Sequence, residues 1–392
     1  MKKSLIALAA LGTVAGAAHA QTSVTLYGVI DTGIEYINRV ASAPAAASPT
    51  NALNGVAPAG PRVAMNGNGG LSASRWGLRG VEDLGGGLKA SFVLESQITP
   101  DTGAIAANSG FFNRQAYVAL ANQYGKIGFG RQYSSLAEGM LDFSPTRAAP
   151  AYEPGVWWLG VNYRPANTVK YTGTFGGLSV AAHYSFGTGT ALTSLSGGGI
   201  LYGGGLGETP GAWKDDTAWG ASAKYLGDNF GFGVGYDEWH PAVTIGNPGK
   251  VRKLGAAGSY TTGPLKFIAG YRWGDQTYAN GNTGLRDDYW FGGVSYRFNP
   301  AFDVQLAYFY TNIKQLSLTN TGAPTNPANP QQVSLVADYA FSKRTDVYLT
   351  TAWAHNGALA NDGPFTGYLF NFASAPGQKN MVGAMAGVRH VF

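Results

Sequence analysis

The acidic side chains of one long irregular stretch are the first candidates for chemistry in this sequence. The segments around it alternate between apolar and polar residues, whereas residues 132–165 do not. A connection of about thirty residues is far longer than usual, and such loops in ordered domains are mostly functional or disordered. This loop carries Glu138, Asp142 and Glu153, which can set an electric field across a narrow space.

A short helix is predicted at the start of this loop. Ser135 and Glu138 have the spacing of a capping box, so a helix can begin there and end before Pro145. Glu138 and Asp142 are four residues apart and would share one face of that helix. The alternative is an exposed surface loop whose acids have no role, and the apolar content of the loop speaks against it.

A row of basic side chains is the second candidate. Alternate residues of an extended segment share a face, and Trp76 and Leu78 make one face apolar, which leaves the other face to the cations. Arg114 is assigned to that polar face with Tyr117 turned away, whereas Arg131 has the opposite parity. The predicted polar-face cations are Arg75, Arg79, Lys89 and Arg114, followed on later segments by Lys170, Lys224, Lys253, Lys266, Arg272 and Arg297.

Histidines offer a weaker route to chemistry. Apart from His19 they are His183, His240, His355 and His390, and no two are close in sequence. The chain has no cysteine, so thiolate metal sites and disulfides are excluded, and we expect neither a metal nor a cofactor. A hydrolase built on one of the histidines stays an alternative, although no Gly-x-Ser-x-Gly elbow is present.

The first twenty residues have the three parts of a secretory signal peptide. Lys2 and Lys3 precede a small, apolar run over residues 5–16, and residues 18–20 fit an Ala-x-Ala cleavage site. We predict a signal peptide at residues 1–20 and a mature domain at residues 21–392. The run is shorter than the roughly 20 residues that a membrane helix needs. Two of the 27 basic residues lie here, so 25 oppose 22 acids in the mature chain, and nucleic acid is not indicated.

The composition indicates a membrane β-barrel. Glycine accounts for 58 of 392 residues, about twice the usual share, and only 12% of residues are charged. We count about sixteen alternating segments, the first at residues 23–38 and the last at 380–392, joined by connections that are short and long in turn. This asymmetry is typical of an antiparallel outer-membrane barrel. A large soluble β-sandwich or propeller is the alternative.

Three stretches resemble a known family. They are Gln-Thr-Ser-Val-Thr-Leu-Tyr-Gly-Val-Ile-Asp at 21–31, Gly-Phe-Gly-Arg-Gln at 128–132 and Ala-Gly-Val-Arg-His-Val-Phe at 386–392. They are similar to the general porins of Gram-negative bacteria, especially the neisserial and β-proteobacterial type. Enterobacterial porins have a Pro-Glu-Phe-Gly-Gly run in the loop, whereas here Glu153 is followed by Pro154 and Gly155.

The resemblance implies a fold, an assembly and a location. The fold is all-β, a transmembrane antiparallel barrel of about sixteen strands with the loop at about 132–165 folded into the pore. The resemblance further implies a homotrimer in the cell outer membrane, surrounded by outer-membrane lipids and lipopolysaccharide, and makes Phe392 the signal for the assembly machinery. Arg75 and Arg114 match the arginines that face the loop acids, with Arg79 and Lys89 on the same wall.

The predicted function is passive diffusion of small hydrophilic solutes and ions. Arginines opposite Glu138, Asp142 and Glu153 would create a transverse field at the narrowest point, and a surplus of inward cations predicts a mild anion preference. A substrate-specific channel is the nearest alternative. A sugar channel would use the aromatic residues Tyr133, Tyr152, Trp157 and Trp158, and an oxyanion channel the arginines.

Overall fold

The computed structural model describes residues 23–44, 55–106, 110–190, 207–361 and 372–392. The predicted signal peptide at 1–20 lies outside the described residues. Within these ranges no helix is both long and apolar enough to cross a membrane.

Twenty strands account for most of the described chain. Their bounds are β1 (Ser23–Pro44), β2 (Gly55–Met65), β3 (Arg75–Gly85), β4 (Leu88–Thr99), β5 (Ala104–Ile105), β6 (Gln115–Asn122), β7 (Gly125–Arg131), β8 (Thr168–Phe175), β9 (Leu178–Ser185), β10 (Ala218–Leu226), β11 (Phe230–Trp239), β12 (Ala242–Thr244), β13 (Asn247–Pro248), β14 (Lys250–Thr262), β15 (Leu265–Thr277), β16 (Thr283–Asn299), β17 (Phe302–Leu316), β18 (Gln331–Ala340), β19 (Thr345–His355) and β20 (Asn380–Val391). The helices are Ser135–Met140 and Gly155–Leu159, and 3₁₀ turns span Leu141–Phe143 and Leu359–Asn361.

Sixteen of these strands form the predicted closed antiparallel barrel. The short strands β2 and β5 extend the sheet beside β1 and β4, and β12 pairs with β13 in a separate hairpin. The barrel closes because β1 pairs with β3 over residues 23–29 and with β20 over residues 29–37. Short turns such as 176–177 and 263–264 lie at one end, and long connections such as 317–330 lie at the other, as the sequence predicts.

Alternation along the strands separates the lipid-facing surface from the lumen. On β1, Val24 and Leu26 are exposed, whereas Asp31 and Glu35 are buried inside. The same rule puts Phe267 of β15 outside and Lys266 inside. A strand that meets lipid on one side and protein or water on the other needs apolar residues at every second position only.

The alternation of β6 is the reverse of the predicted one. Tyr117 was expected outside, but Val118 and Leu120 are the outward residues, 55% and 48% exposed. Tyr117 lies inside, with Lys126 Nζ 5.3 Å from its ring centroid. Arg114 still reaches the lumen because it precedes β6 and donates its N–H to the Glu95 carbonyl.

The core of the molecule lies inside the barrel, between the long loop and one side of the wall. Leu136, Phe143 and Trp158 of the loop pack with wall side chains of β14 to β17. Tyr152 packs with a second group that includes Ile37 of β1 and residues of β18 to β20. The loop therefore fills one side of the interior, and the open lumen lies along β3 and β4 and along the short-turn ends of β14 to β17.

A side chain at Gly28 should weaken the seam of the barrel. Gly28 and Phe392 exchange two backbone hydrogen bonds of 3.0 and 3.1 Å, and a Cβ at Gly28 would lie 2.3 Å from Phe392 Cζ. We expect Gly28→Ala to reduce the free energy of unfolding by about 1–3 kcal/mol, as overpacking does. The check is the melting temperature of the folded barrel in detergent. Gly60→Ala is the control, since a Cβ there meets nothing within 4 Å; equal melting temperatures for the two variants would contradict the prediction.

Candidate functional site

The loop at residues 132–165 folds into the barrel, as predicted. Its two ends are joined by hydrogen bonds from the Gln132 and Ser134 N–H groups to the Pro165 and Tyr163 carbonyls. The predicted helix is present and ends at Met140, but its cap differs from the prediction. Ser134, not Ser135, is the N-cap, and its Oγ accepts a 3.3 Å hydrogen bond from Ala137 N–H.

Glycines of the wall let the helix approach closely. A Cβ at Gly235 would lie 3.0 Å from Leu136 Cδ1, and one at Gly233 would lie 2.5 Å from the ring of Phe143. The absence of these side chains forms a groove on β11 in which the apolar face of the helix lies. The high glycine content therefore serves loop packing as well as the strands.

The two loop acids that were predicted to share one helix face bind lysines of the adjacent wall, although only Glu138 is in the helix and Asp142 lies in the following 3₁₀ turn. Glu138 Oε2 lies 3.0 Å from Lys170 Nζ, and Asp142 Oδ2 lies 2.6 Å from Lys224 Nζ. Burial alone would raise the pKa of Glu138, but the charge of Lys170, with Lys224, brings it below its ordinary value. Two lysines that parity placed inside thus accompany the acids that were expected to face the arginines.

Glu153 organises the tip of the loop. Its carboxylate is buried and accepts hydrogen bonds from Ser144 Oγ at 2.6 Å, from Thr146 and from the Ala148 N–H at 3.2 Å. Burial raises the pKa of Glu153 above its ordinary value, and these donors offset only part of that shift. Glu153 lines the cavity, as expected of a predicted constriction residue, but its carboxylate is directed at the donors of its own loop.

Three arginines converge on the opposite side of the lumen. The Glu95 carboxylate accepts a 2.7 Å hydrogen bond from Arg114 Nε and lies 3.5 Å from Arg75 Nε. The Tyr133 hydroxyl lies 3.2 Å from an Arg114 nitrogen and 3.0 Å from an Arg164 nitrogen. We call Arg75, Arg114 and Arg164 the arginine cluster; with the one carboxylate of Glu95 it keeps a formal charge of +2.

Two of these residues were missed by the sequence prediction. Glu95 shares the inward parity of Lys89 on β4, so alternation could have identified it. Arg164 stands on the returning end of the loop, where no alternation exists, and its guanidinium lies 4.8 and 4.4 Å from the ring centroids of Tyr133 and Tyr163. Only the folded loop brings it to Arg114.

Arg79 and Lys89 lie on the same wall but away from the arginine cluster. Arg79 is exposed, and its guanidinium lies 5.2 Å from the Tyr27 ring centroid. Lys89 pairs with Asp83 beside the β3–β4 turn, whereas Gln97 pairs with Arg75. The eight residues between them span about 26 Å, so Lys89 marks the short-turn mouth of the lumen rather than the narrow section.

The remaining predicted cations divide between the loop and the lumen. Arg272 lies 2.7 Å from Asp287 and also donates to the Trp157 carbonyl of the loop. Buried Lys253 lies close to Gly160 at the end of the second helix. Lys266 and Arg297 line the open lumen.

The loop and the arginine cluster line a large open cavity. Its volume is about 1290 Å³. The charged residues around it are six basic ones, Arg75, Arg114, Arg147, Arg164, Lys266 and Arg297, and three acidic ones, Asp142, Glu153 and Asp303. Asp142 therefore shares the cavity with the arginines, whereas Glu138 is not among its lining residues. The cavity can bind or pass a hydrated solute, and its wall is mainly positive.

His183 takes a position that a hydrolase could use. Its Nδ1 lies 2.9 Å from Ser135 Oγ and its Nε2 lies 3.6 Å from Asp237 Oδ2. All three side chains are buried between helix and wall, and Nδ1 also accepts the Ser135 N–H at 3.1 Å. The imidazole thus satisfies a free amide at the helix start, and the group has no access to solute.

The other histidines have local partners. His240 Nε2 lies 2.8 Å from Glu238 Oε1, and His355 Nδ1 lies 2.7 Å from Asn380 Oδ1. In the described part of the chain no three histidine or acidic side chains are placed to hold a metal ion.

Comparison with known proteins agrees with this architecture. Residues 7–359 match the family model described as Gram-negative porin. Outer membrane porin protein 32 of Delftia acidovorans is 36% identical over 60% of this chain and 67% of its own length. Major outer membrane protein P.IB of Neisseria meningitidis serogroup B is 25% identical over 91% of this chain and 94% of its own.

Solved structures share the fold. The anion-selective porin from Comamonas acidovorans superposes with a TM-score of 0.71 at 23% identity, covering 95% of this chain and 100% of that one. The trimer form of OmpT of Vibrio cholerae has a TM-score of 0.58 at 14% identity, covering 95% of this chain and 99% of that one.

Removal of the Glu153 carboxylate should loosen the loop tip, residues 144–149. Glu153→Ala leaves the donors of Ser144, Thr146 and Ala148 without their acceptor, which costs about 1–3 kcal/mol for each buried group. We expect faster cleavage of the loop by added protease and a noisier single-channel current. Asp228→Ala, in the exposed β10–β11 turn, is the control, and equal protease lifetimes for the two variants would refute the role of Glu153.

Proposed function

The chain belongs to the Gram-negative porin family, and from that premise we propose that the arginine cluster makes this outer-membrane diffusion channel prefer anions. Porins of this family are channels for small hydrophilic solutes rather than enzymes. We propose no catalytic role for the buried Ser135, His183 and Asp237.

The excess of basic over acidic residues around the cavity is the observation that supports this proposal. Asp142 has a lysine within 2.6 Å, and Glu153 is directed into the loop. The arginine cluster has Glu95 as its shared carboxylate. The net field at the narrow section therefore attracts anions and repels cations.

Hydrated solutes pass by exchanging water for wall groups. A polar solute can align its dipole between the arginine cluster and Asp142, whereas an apolar solute loses hydration without compensation. The low-dielectric wall of the barrel concentrates the field in the water-filled path. This mechanism selects by charge and polarity and needs no specific binding site.

The specific-channel alternatives are less well supported. Tyr152, Trp157 and Trp158 pack between loop and wall with exposures of 1%, 4% and 1%, so they offer no surface to a sugar. An oxyanion ladder needs successive arginines, but Arg79 lies against Tyr27 rather than continuing the cluster.

The partners and processing of the chain are also proposals. We propose a homotrimer, which the resemblance to general porins supports, together with contact to outer-membrane lipids and lipopolysaccharide. Phe392 lies at the seam of the barrel, a position compatible with a signal for the assembly machinery, and residues 1–20 remain a predicted signal peptide.

Reversal potentials in a salt gradient test the proposed anion preference. The wild-type channel should favour anions, and Arg75→Gln combined with Arg114→Gln should lower the anion-to-cation permeability ratio by roughly 3- to 10-fold, because two charges leave the narrow section. Arg344→Gln, in the exposed β18–β19 turn, should leave the ratio unchanged.

Two results would overturn this function. A wild-type channel that prefers cations would contradict the charge argument. A current blocked by micromolar solute would indicate a specific channel, whereas conductance proportional to bulk salt supports general diffusion.

A further inference from the structure

The outer surface of the barrel carries one row of charged residues. Four charged residues are neighbours in register on β11, β14, β15 and β16, namely Glu238, Arg252, Asp275 and Arg286. They have the parity of the lipid-facing Phe232. With the adjacent Lys250, Asp288 and Lys314 they form what we call the outer charged belt.

Internal pairing fixes the belt in place. Arg252 pairs with Asp275, Lys314 pairs with Asp288, and Arg286 lies 2.8 Å from Asp288. Lys250 lies 3.7 Å from Glu238. The guanidinium groups of Arg252 and Arg286 also lie 5.7 and 5.1 Å from the Trp273 ring centroid.

The cations form the accessible part of the belt. The side chains of Lys250, Arg252 and Lys314 are 44%, 37% and 48% exposed, whereas those of Glu238, Asp275 and Asp288 are 13%, 12% and 8% exposed. The carboxylates therefore lie closer to the barrel wall than the cations with which they pair. Four cations against three acids leave a formal charge of +1, presented outward.

Position relative to the aromatic residues sets the height of the belt. Four residues along the strands toward the short turns, Tyr271 pairs with Trp290, which pairs with Tyr310. Aromatic rings of this kind mark the membrane interface. The belt lies on the long-loop side of that row. Charges on a lipid-facing surface are tolerated at the interface and costly at the midplane, so the belt meets headgroups.

The belt is local to one part of the barrel. On β4, β8, β9, β10 and β18 the outward positions hold no charged residue among those the structure describes. A general requirement of the membrane interface would place charges around the whole circumference. Glu82 of β3 and Arg131 of β7 also have outward parity, but each stands alone. In the described residues the continuous row of charged neighbours lies on five strands, β11 and β14 to β17, and this continuity indicates a particular partner.

We propose that the outer charged belt binds the phosphate groups of lipopolysaccharide in the outer leaflet, with the acyl chains against the aromatic row below. Arginine binds phosphate through paired hydrogen bonds, and basic groups at membrane level bind anionic headgroups. A second copy of the chain fits this surface less well, because the centre of a subunit interface is depleted of charge. The inference deepens the proposed contact with outer-membrane lipids.

Lipid binding by the folded full-length chain in detergent tests the proposal. Purified lipopolysaccharide, the same glycolipid after phosphatase treatment, and phosphatidylglycerol are the three probes, with bound lipid counted by native mass spectrometry. Wild type should bind intact lipopolysaccharide at least about tenfold more tightly than either other probe, because the treated glycolipid has lost its phosphates and phosphatidylglycerol offers one singly charged phosphodiester in place of several phosphate groups.

Matched variants locate the site. Arg252→Gln with Lys314→Gln should lose this preference, and Asp275→Asn with Asp288→Asn should keep or increase it, since the cations remain. Lys343→Gln with Arg344→Gln, two exposed cations of the β18–β19 turn, is the control for charge removal. Only variants that retain the heat-resistant folded form and wild-type conductance are compared.

The outcomes separate this proposal from the channel function. Equal binding by wild type and the Arg252/Lys314 variant would overturn the belt as a binding site, and equal binding of intact and dephosphorylated glycolipid would overturn phosphate as the ligand. Loss of trimers in that variant without a change in lipid binding would make the belt a subunit contact instead. Ion selectivity is measured in the lumen and is independent of all three results.

Discussion

The structure depends on the packing of the loop at residues 132–165 against the inner wall of the barrel. A chain that leaves the sheet must find new partners for its backbone groups, and here the wall supplies them. His183 accepts the Ser135 N–H, Gln332 and Ser334 donate to the Tyr152 carbonyl at 2.6 and 2.7 Å, and Arg272 donates to the Trp157 carbonyl. Inward polar residues of the strands thus serve as hydrogen-bond partners of the loop, which fixes where the lumen is narrow.

Ion selectivity follows from the same contacts. Lys170 and Lys224 hold the helix to the wall by binding Glu138 and Asp142, and in doing so they offset much of the negative charge of the loop. The open side of the lumen keeps the arginine cluster with Glu95 as its shared carboxylate. The positive lumen is therefore a consequence of loop anchoring on one wall and of arginine clustering on the other.

The barrel could be predicted from the sequence because the membrane imposes a period of two on every strand. The prediction that Arg114 lies inside the barrel is correct, although it was based on the wrong assumption that Tyr117 faces outward. The partners of the loop acids could not be predicted, because they depend on which wall the helix contacts. Gly233 and Gly235 leave the space in which the helix contacts β11. The alternation of polar and apolar side chains does not show which glycines leave such a space. Arg164 was missed since it lies beyond the last turn of an irregular loop.

The register of the strands links the narrow section to the thickness of the membrane. Glu238 and Arg252, in the outer charged belt, pair with each other, and three register steps toward the short turns Gly235 pairs with Gly255, where the loop helix packs. At about 3.3 Å per residue the helix contact lies roughly 10 Å along the strand from the headgroup level. Gly255 in turn pairs with Arg272, the neighbour of Tyr271 in the aromatic row, so the helix contact lies at the height of that row. Because the low-dielectric wall of the barrel screens charge poorly, the arginines act on a solute more strongly within the barrel than they would in open water.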